Sequence, residues 1–338
     1  MKALVTGSNG LLGCNLTRVL LQAGHSVRTL VRESSDTRGL DRLNVERSIG
    51  DVRDRESVRA AVDGCDVVFH GAAVFSYWGY SRDEMLETAR DGTGIIIEAC
   101  RDANVRRLVL TSSTAVFGGH QDPTPRDETA AMAPGAGVDY FETKALQERI
   151  AAEMARELGV ELIIVNPSLF IGPYDFKPSQ SSQTFTAFLR DPLRLTFPGG
   201  ACLVHAGDVA RGHLLALENG TPFERHILGG ENIEWTALHE TLAVLTDSAG
   251  PRLRANKATA LLGAAVMEAV STVTRRPPMV TRALARQMGL FFYHSSEKMK
   301  RLGYAPRPAK ATLRDTLNWW IESPHLSAKE RLAWRPQL

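Results

Sequence analysis

Short apolar runs alternate with longer helical patterns along the first half of the chain. Ala3-Leu4-Val5, Ser26 to Val31, Val67 to Phe69, Arg107 to Leu110 and Glu161 to Val165 are rich in β-branched and aliphatic residues and have the length of strands. Between them apolar positions recur at helical spacing: Leu12, Leu16, Val19 and Leu20 ahead of a stop at Gly24, and Leu146, Ile150, Met154 and Leu158 ahead of Gly159. The alternation predicts an α/β fold, a doubly wound parallel sheet with helices on both faces. Open sheets of this kind bind ligands at the carboxyl ends of their strands. Gly7, Arg32, Asp51, Gly71 to Ala73, Thr111 to Ser113 and Pro167 are therefore expected to share one rim.

After Pro167 the texture changes. Gly172-Pro173, Lys177-Pro178 and Pro198-Gly199-Gly200 punctuate loops, irregular helices follow, and Val204 to Leu217 reads as a strand and a helix returning to the sheet. The expected organisation is interleaved: residues 1–170 plus about 202–229 for the sheet, and about 171–201 with 230–323 for a smaller, mostly helical C-terminal domain that binds substrate. The tail after about Ser323 is expected to be loosely held. The most apolar run, Ala258 to Val270, is broken by Glu268 and falls short of the ~20 residues a spanning helix needs. It predicts a buried or interfacial helix and no membrane span, with only Arg275-Arg276 nearby as thin support for lipid contact.

Composition narrows the class. A chain of 338 residues, 43% hydrophobic, can bury a large core, and 40 basic against 38 acidic residues, interleaved in sign, leave no basic face for nucleic acid. Cys14, Cys65, Cys100 and Cys202 form no CxxC pair and sit in apolar patterns, which predicts buried thiols, a reducing compartment and no metal site. A strand begins at once, without a charged and apolar leader, so a cytoplasmic location is expected.

The chemistry starts at Thr6-Gly7-Ser8-Asn9-Gly10-Leu11-Leu12-Gly13, between the first strand and the first helix. Glycines there allow positive φ and close backbone approach, while free N–H groups and the helix dipole attract an anion, so the turn predicts a phosphate site and a nucleotide cofactor. Tyr140 and Lys144 stand at i and i+4 on one side of a helix. A phenol titrating near ~10 needs a neighbouring ammonium to work as an acid–base at neutral pH, and Lys144 is the candidate. Thr111 to Gly118 forms a hydroxyl-rich loop on the rim, in which Ser113 is the choice for holding a substrate oxygen; other members of the cluster serve the turn's own backbone.

In this order and at these separations, the glycine turn, the Ser113 loop, Tyr140 and Lys144 resemble the extended short-chain dehydrogenase/reductase superfamily over nearly the whole chain. Val165 to Ser168, Gly172-Pro173, Asp208 to His213 and Ile227 to Asn232 resemble its dihydroflavonol-4-reductase-like branch, which includes hopanoid-associated sugar epimerases and neighbours the 3β-hydroxysteroid dehydrogenases. The resemblance implies a Rossmann fold, a nicotinamide cofactor, a Ser113-Tyr140-Lys144 active site and a homodimer. It assigns cofactor contacts to Gly7, Asn9, Gly10, Leu11, Leu12 and Gly13, to Asp51-Val52 at the adenine, to Gly71-Ala72-Ala73, to Tyr140 and Lys144, and to Pro167-Ser168. Two segments depart from the pattern. Ala89-Arg90-Asp91-Gly92-Thr93 has alanine where relatives carry Asn in Asn-Val-x-Gly-Thr, and Leu169-Phe170-Ile171-Gly172-Pro173 lacks the Asn of the Asn-x-Tyr-Gly-Pro common in nucleotide-sugar epimerases.

The second strand ends in Val31-Arg32 and not in an acid, which favours the 2′-phosphate of NADP(H), with NAD(H) left open by Glu33. Phe75, Tyr77 and Trp78 in an aromatic segment after Gly71, and Phe170 and Tyr174 from the other side, suit a hydrophobic or aromatic substrate, although core packing explains any one of them equally well. The leading expectation is NADP(H)-dependent reduction of a ketone or aldehyde, or oxidation of the alcohol, on a small molecule. The alternatives are an NAD-dependent nucleotide-sugar epimerase or dehydratase, and a non-catalytic dinucleotide-binding sensor.

Overall fold

The computed structural model describes residues 1–73, 81–133, 139–274 and 280–334. Seven parallel strands form the main sheet: β1 (Lys2–Thr6), β2 (Ser26–Val31), β3 (Glu46–Ile49), β4 (Val67–His70), β5 (Arg107–Thr111), β6 (Glu161–Pro167) and β10 (Arg225–Leu228). Their order is β10-β6-β5-β4-β1-β2-β3, so the direction of winding reverses between β1 and β4. The central strands are apolar on both faces, and the pleat sends neighbouring residues into different cores. Leu4, Val68, Leu108 and Leu162 pack under α2 (Arg55–Val62), α4 (Thr93–Asp102) and α5 (Asp139–Leu158). Ala3, Val5, Phe69, Val109 and Ile163 pack under α1 (Leu11–Gln22) and α7 (Ala206–Asn219). The expected strands and the doubly wound arrangement are those of the structure.

A second layer is built on β7 (Leu169–Ile171), β9 (Gly200–His205), β11 (Glu231–Glu234) and β13 (Phe291–Phe292), with β9 pairing to the other three. It packs with α6 (Gln180–Arg190), α8 (Trp235–Leu245) and α12 (Ala309–Glu322) around Phe185, Leu203, Leu242 and Trp320. The strand expected near Val204 thus belongs to this second sheet, while the helix after it lies against α1 of the main one. A two-stranded ribbon, β8 (Leu195–Thr196) with β12 (Leu253–Arg254), leads into α9 (Lys257–Thr274) and α10 (Arg282–Arg286). Short helices α3 (Arg82–Glu87), α11 (Glu297–Arg301) and α13 (Ala328–Ala333) complete the described chain.

One expectation, the loosely held tail, is corrected, and two apolar runs take on surroundings that the sequence left open. The stripe Leu146, Ile150, Met154 and Leu158 is only half-buried; the buried face of α5 is Phe141, Lys144, Ala145, Glu148, Ala151 and Ala155, because the first half of this helix crosses a polar interior. The tail is held: Leu326 and Trp334 are buried, and Arg190 pairs with Glu330 at 2.7 Å. The run within α9 is largely exposed, with only Ala264 and Ser271 of that helix buried. The four cysteines are free and buried, as expected.

Candidate active site

The residues expected on the rim lie at or just past strand ends along the adjacent strands β6, β5, β4, β1, β2 and β3: Thr111 and Pro167 close β5 and β6, Gly7, Arg32 and Gly71 follow β1, β2 and β4 directly, and Asp51 stands two residues past β3. From β5 to β2 the rim spans three strand spacings, roughly 14 Å. It brackets the winding reversal at which open α/β sheets take dinucleotides.

The glycine turn sits at that reversal. Gly7 has φ of 70°, and a Cβ on Gly13 would stand 2.2 Å from the Gly7 carbonyl oxygen, so helix and turn touch backbone to backbone. A Cβ on the exposed Gly10 would meet only that same oxygen, at 3.4 Å. Gly10 occupies the N-cap of α1, without a side-chain cap and with no acid in the first turn. Unpaired N–H groups around an open concavity fit an anionic phosphate. Asn9, Leu11 and Leu12 line the same first turn.

At the β2 and β3 ends, Arg32 is exposed and makes no ion pair among the described residues, whereas Asp51 is held by Arg53 at 3.0 Å. That hydrogen bond lowers the Asp51 carboxyl below its usual range, and Arg32 adds a smaller pull in the same direction, so Arg32 stands over the same end of the groove. Val52 is buried beside it.

At the β5 end the catalytic candidates converge. The Ser113 hydroxyl accepts from the Ala115 N–H at 3.1 Å, which orients it, and it hydrogen-bonds the Tyr140 phenol. Burial pushes that phenol up to about 12, with the Ser113 bond opposing. Lys144 is buried; its Nζ donates to the Thr111 carbonyl and to Gln147 Oε1, both at 2.9 Å. Burial brings the ammonium down to about 8, with Glu148 pulling the other way. Tyr140 is therefore protonated at neutral pH. The expected depression of its phenol by Lys144 is not found, because the ammonium is turned to Thr111 and Gln147.

Lys144 also ends a buried chain of hydrogen bonds. Gln147 Nε2 donates to Thr93 Oγ1 at 2.9 Å, Thr93 Oγ1 lies 3.1 Å from His70 Nε2, and His70 Nδ1 lies 2.9 Å from Thr6 Oγ1. Thr6 Oγ1 accepts from the Ala72 N–H at 3.1 Å, which ties the Gly71 turn to the amine. Burial drops His70 to about 3, so the ring is neutral and relays one donor and one acceptor. A second knot holds the serine loop: buried Glu148 accepts from Ser112 Oγ at 2.8 Å and Asn166 Nδ2 at 3.1 Å, and pairs with Arg225. Asn166 also donates to the Ser113 carbonyl at 3.2 Å. Sequence reading missed Gln147 and Glu148, although polar side chains three and four residues after Lys144 share its helix face. Ala89 is buried in a π-helical turn, Thr88–Gly92, directly before Thr93, and the amide that bonds Lys144 comes from Gln147 instead.

The remaining residues are less central. Pro167 ends β6 at the rim, but the Ser168 hydroxyl is turned to the Leu228 carbonyl at 3.5 Å. Phe170 packs on the core beneath α7, and the Arg18 guanidinium lies 3.7 Å over the Tyr174 ring while Asn15 bonds the Pro173 carbonyl at 2.9 Å. These contacts give Phe170 a place at the edge of the core and Tyr174 a place in a clamp on α1. Phe75, Tyr77 and Trp78 lie outside the described residues. Among the described residues no cluster of metal-ligating side chains occurs, and no helix is long and apolar enough to cross a membrane.

The profile of the NAD dependent epimerase/dehydratase family matches residues 3–229, two thirds of the chain and all of the main sheet. The chain belongs to this family. Within the extended short-chain dehydrogenases/reductases, it is similar to sterol demethylase protein B of Methylococcus capsulatus, 33% identical over 95% of this chain and 99% of that protein. A putative dihydroflavonol 4-reductase of Synechocystis is 32% identical over 94% and 93%. The crystal structure of gox2253 superposes with a TM-score of 0.84 at 33% identity, covering 96% of this chain and 99% of the other. The family consists of enzymes that bind NAD(H) or NADP(H), and its reductase members are among the relatives of this chain.

Proposed function

We propose that this protein is a cytoplasmic NADP(H)-dependent ketoreductase acting on a hydrophobic small molecule through Ser113, Tyr140 and Lys144. The observation that carries the reading is the Ser113–Tyr140 hydrogen bond beside the rim, with the buried Lys144 ammonium one helical turn further on. The cofactor, when bound, supplies the hydride. The glycine turn would hold its pyrophosphate, Arg32 its 2′-phosphate and Lys144 its ribose. Ser113 and Tyr140 grip the substrate carbonyl oxygen, and Tyr140 passes its proton to that oxygen as negative charge develops. Lys144 stabilises the phenolate left behind, and the Gln147–Thr93–His70 chain fixes the amine.

An apolar substrate is supported by Leu169-Phe170-Ile171, where a sugar-nucleotide site would carry an amide, and by the relatives named for a sterol and a dihydroflavonol. In this reading residues 1–170 with 202–229 bind the dinucleotide, and 171–201 with 230–323 close over the substrate, joined by the tail through Trp334. The test is NADPH and NADH oxidation, followed by the loss of reduced-nicotinamide absorbance, against aromatic, steroidal and aliphatic ketones with sugar nucleotides alongside. NADPH consumption with an apolar ketone supports the assignment. Turnover of sugar nucleotides without added cofactor rejects it.

A further inference from the structure

α9 turns its apolar side outward. Leu262, Val266, Val270 and Val273 recur at i, i+4, i+8 and i+11 along one stripe and are 70, 56, 54 and 83% exposed. The ribbon leading into the helix adds Leu193, Leu195 and Leu253. These seven are the majority of the eleven large apolar side chains exposed among the described residues, and the four that share one stripe of α9 make a surface with a use and not scattered exposure.

Charge identifies what covers it. Arg252, Arg254, Lys257, Arg282 and Arg286 flank the stripe in sequence, and the one acid between residues 252 and 286, Glu268, is bonded to Arg282, while Asp191 beside the ribbon is spent on the N–H groups of Leu193 and Leu195. A chain with a total charge of only +2 thus sets five basic residues about this apolar stripe. Against a second copy, a two-fold interface would set these cations against one another. Against an anionic bilayer, the stripe enters the acyl boundary while the cations meet headgroups. We propose that α9, the β8–β12 ribbon and the flanking basic side chains seat this protein on an anionic lipid surface, without crossing it. The docked face adjoins the candidate active site, because Ala283 of α10 packs with Tyr140, Phe141 and Phe292. The docking itself does not depend on the proposed chemistry.

The experiment is flotation of the full chain with vesicles of phosphatidylcholine alone or mixed with phosphatidylglycerol. Co-flotation with the mixed vesicles, weakened by high salt, is expected. Val266→Asp with Val270→Asp is expected to cut the bound fraction about tenfold or more, with an unchanged thermal melt because both positions face outward. Lys257→Glu with Arg286→Glu is expected to remove only the preference for anionic vesicles. Absence from every vesicle fraction would overturn the proposal, and so would binding that the aspartate pair leaves intact. If the aspartate pair instead dissociates a dimer that never floats, the stripe is a subunit interface and the lipid assignment fails.

Discussion

Gln147→Leu tests the buried chain that holds Lys144. It removes the oxygen that accepts from the ammonium at 2.9 Å and the amide that donates to Thr93 at 2.9 Å, while keeping a side chain of similar volume at a buried position. Lys144 is left with the Thr111 carbonyl as its acceptor. A hydrogen bond to a charged group contributes about 1.5–3 kcal/mol, so its loss moves the amine down by about one to two pKa units. The starting point is about 8, so an amine that is about nine-tenths protonated at pH 7 becomes about half to one-tenth protonated. A neutral amine cannot stabilise the phenolate that forms as Tyr140 gives up its proton, and kcat/KM for ketone reduction at pH 7 should fall with the protonated fraction, by about 2- to 10-fold. The assay is kcat/KM between about pH 6 and 9. The wild type should lose activity as pH rises through about 8, and the variant should lose it at lower pH. A variant with the same melt, rate and pH limb as the wild type would refute the argument.

Other consequences follow from the same geometry. Arg32→Ala should weaken NADPH by about tenfold or more, the size of one charge-assisted contact, and leave NADH nearly unchanged; equal losses in a binding titration would remove the 2′-phosphate contact. Gly13→Ala drives a Cβ to 2.2 Å from a carbonyl oxygen and should lower the melting temperature, whereas Gly10→Ala, with its nearest neighbour at 3.4 Å, should melt normally and bind cofactor poorly. His70, His213 and His239 are buried, and burial holds them at about 3, 4 and 4. Their stability contribution is complete above the ordinary value of 6.5 and is lost as pH falls toward those folded values. By pH 5 each costs about 2 kcal/mol, so urea unfolding at pH 5 and pH 7 should differ by several kcal/mol, and equal unfolding free energies would contradict their neutral burial.

The sheet was legible because strands buried on both faces read as unbroken apolar runs, and the rim followed because each strand end carries its own Gly, Arg, Asp or Ser. The polar interior was not. Periodicity finds a helix face by its apolar residues, and α5 buries Thr143, Lys144, Gln147 and Glu148 on the side that periodicity assigns to water. The burial of Lys144, Gln147 and Glu148 is offset by hydrogen bonds to Thr93, Thr111, Ser112, Asn166 and Arg225, partners distant in sequence that no local pattern announces. The apolar run of α9 fitted a buried or an interfacial helix equally, since a sequence reads the same whether or not anything covers it. Tyr174 stood out by its aromatic ring alone, and only the fold revealed the Arg18 guanidinium on it.

The most direct test of the central claim, that Tyr140 delivers the proton, is Tyr140→Phe with binding and turnover measured on the same preparation. NADPH fluorescence titration should give an affinity within about threefold of wild type, because the phenyl ring is kept, while ketone reduction falls by about 10²- to 10⁴-fold with loss of the general acid. Turnover by the phenylalanine variant at the wild-type rate would contradict the account.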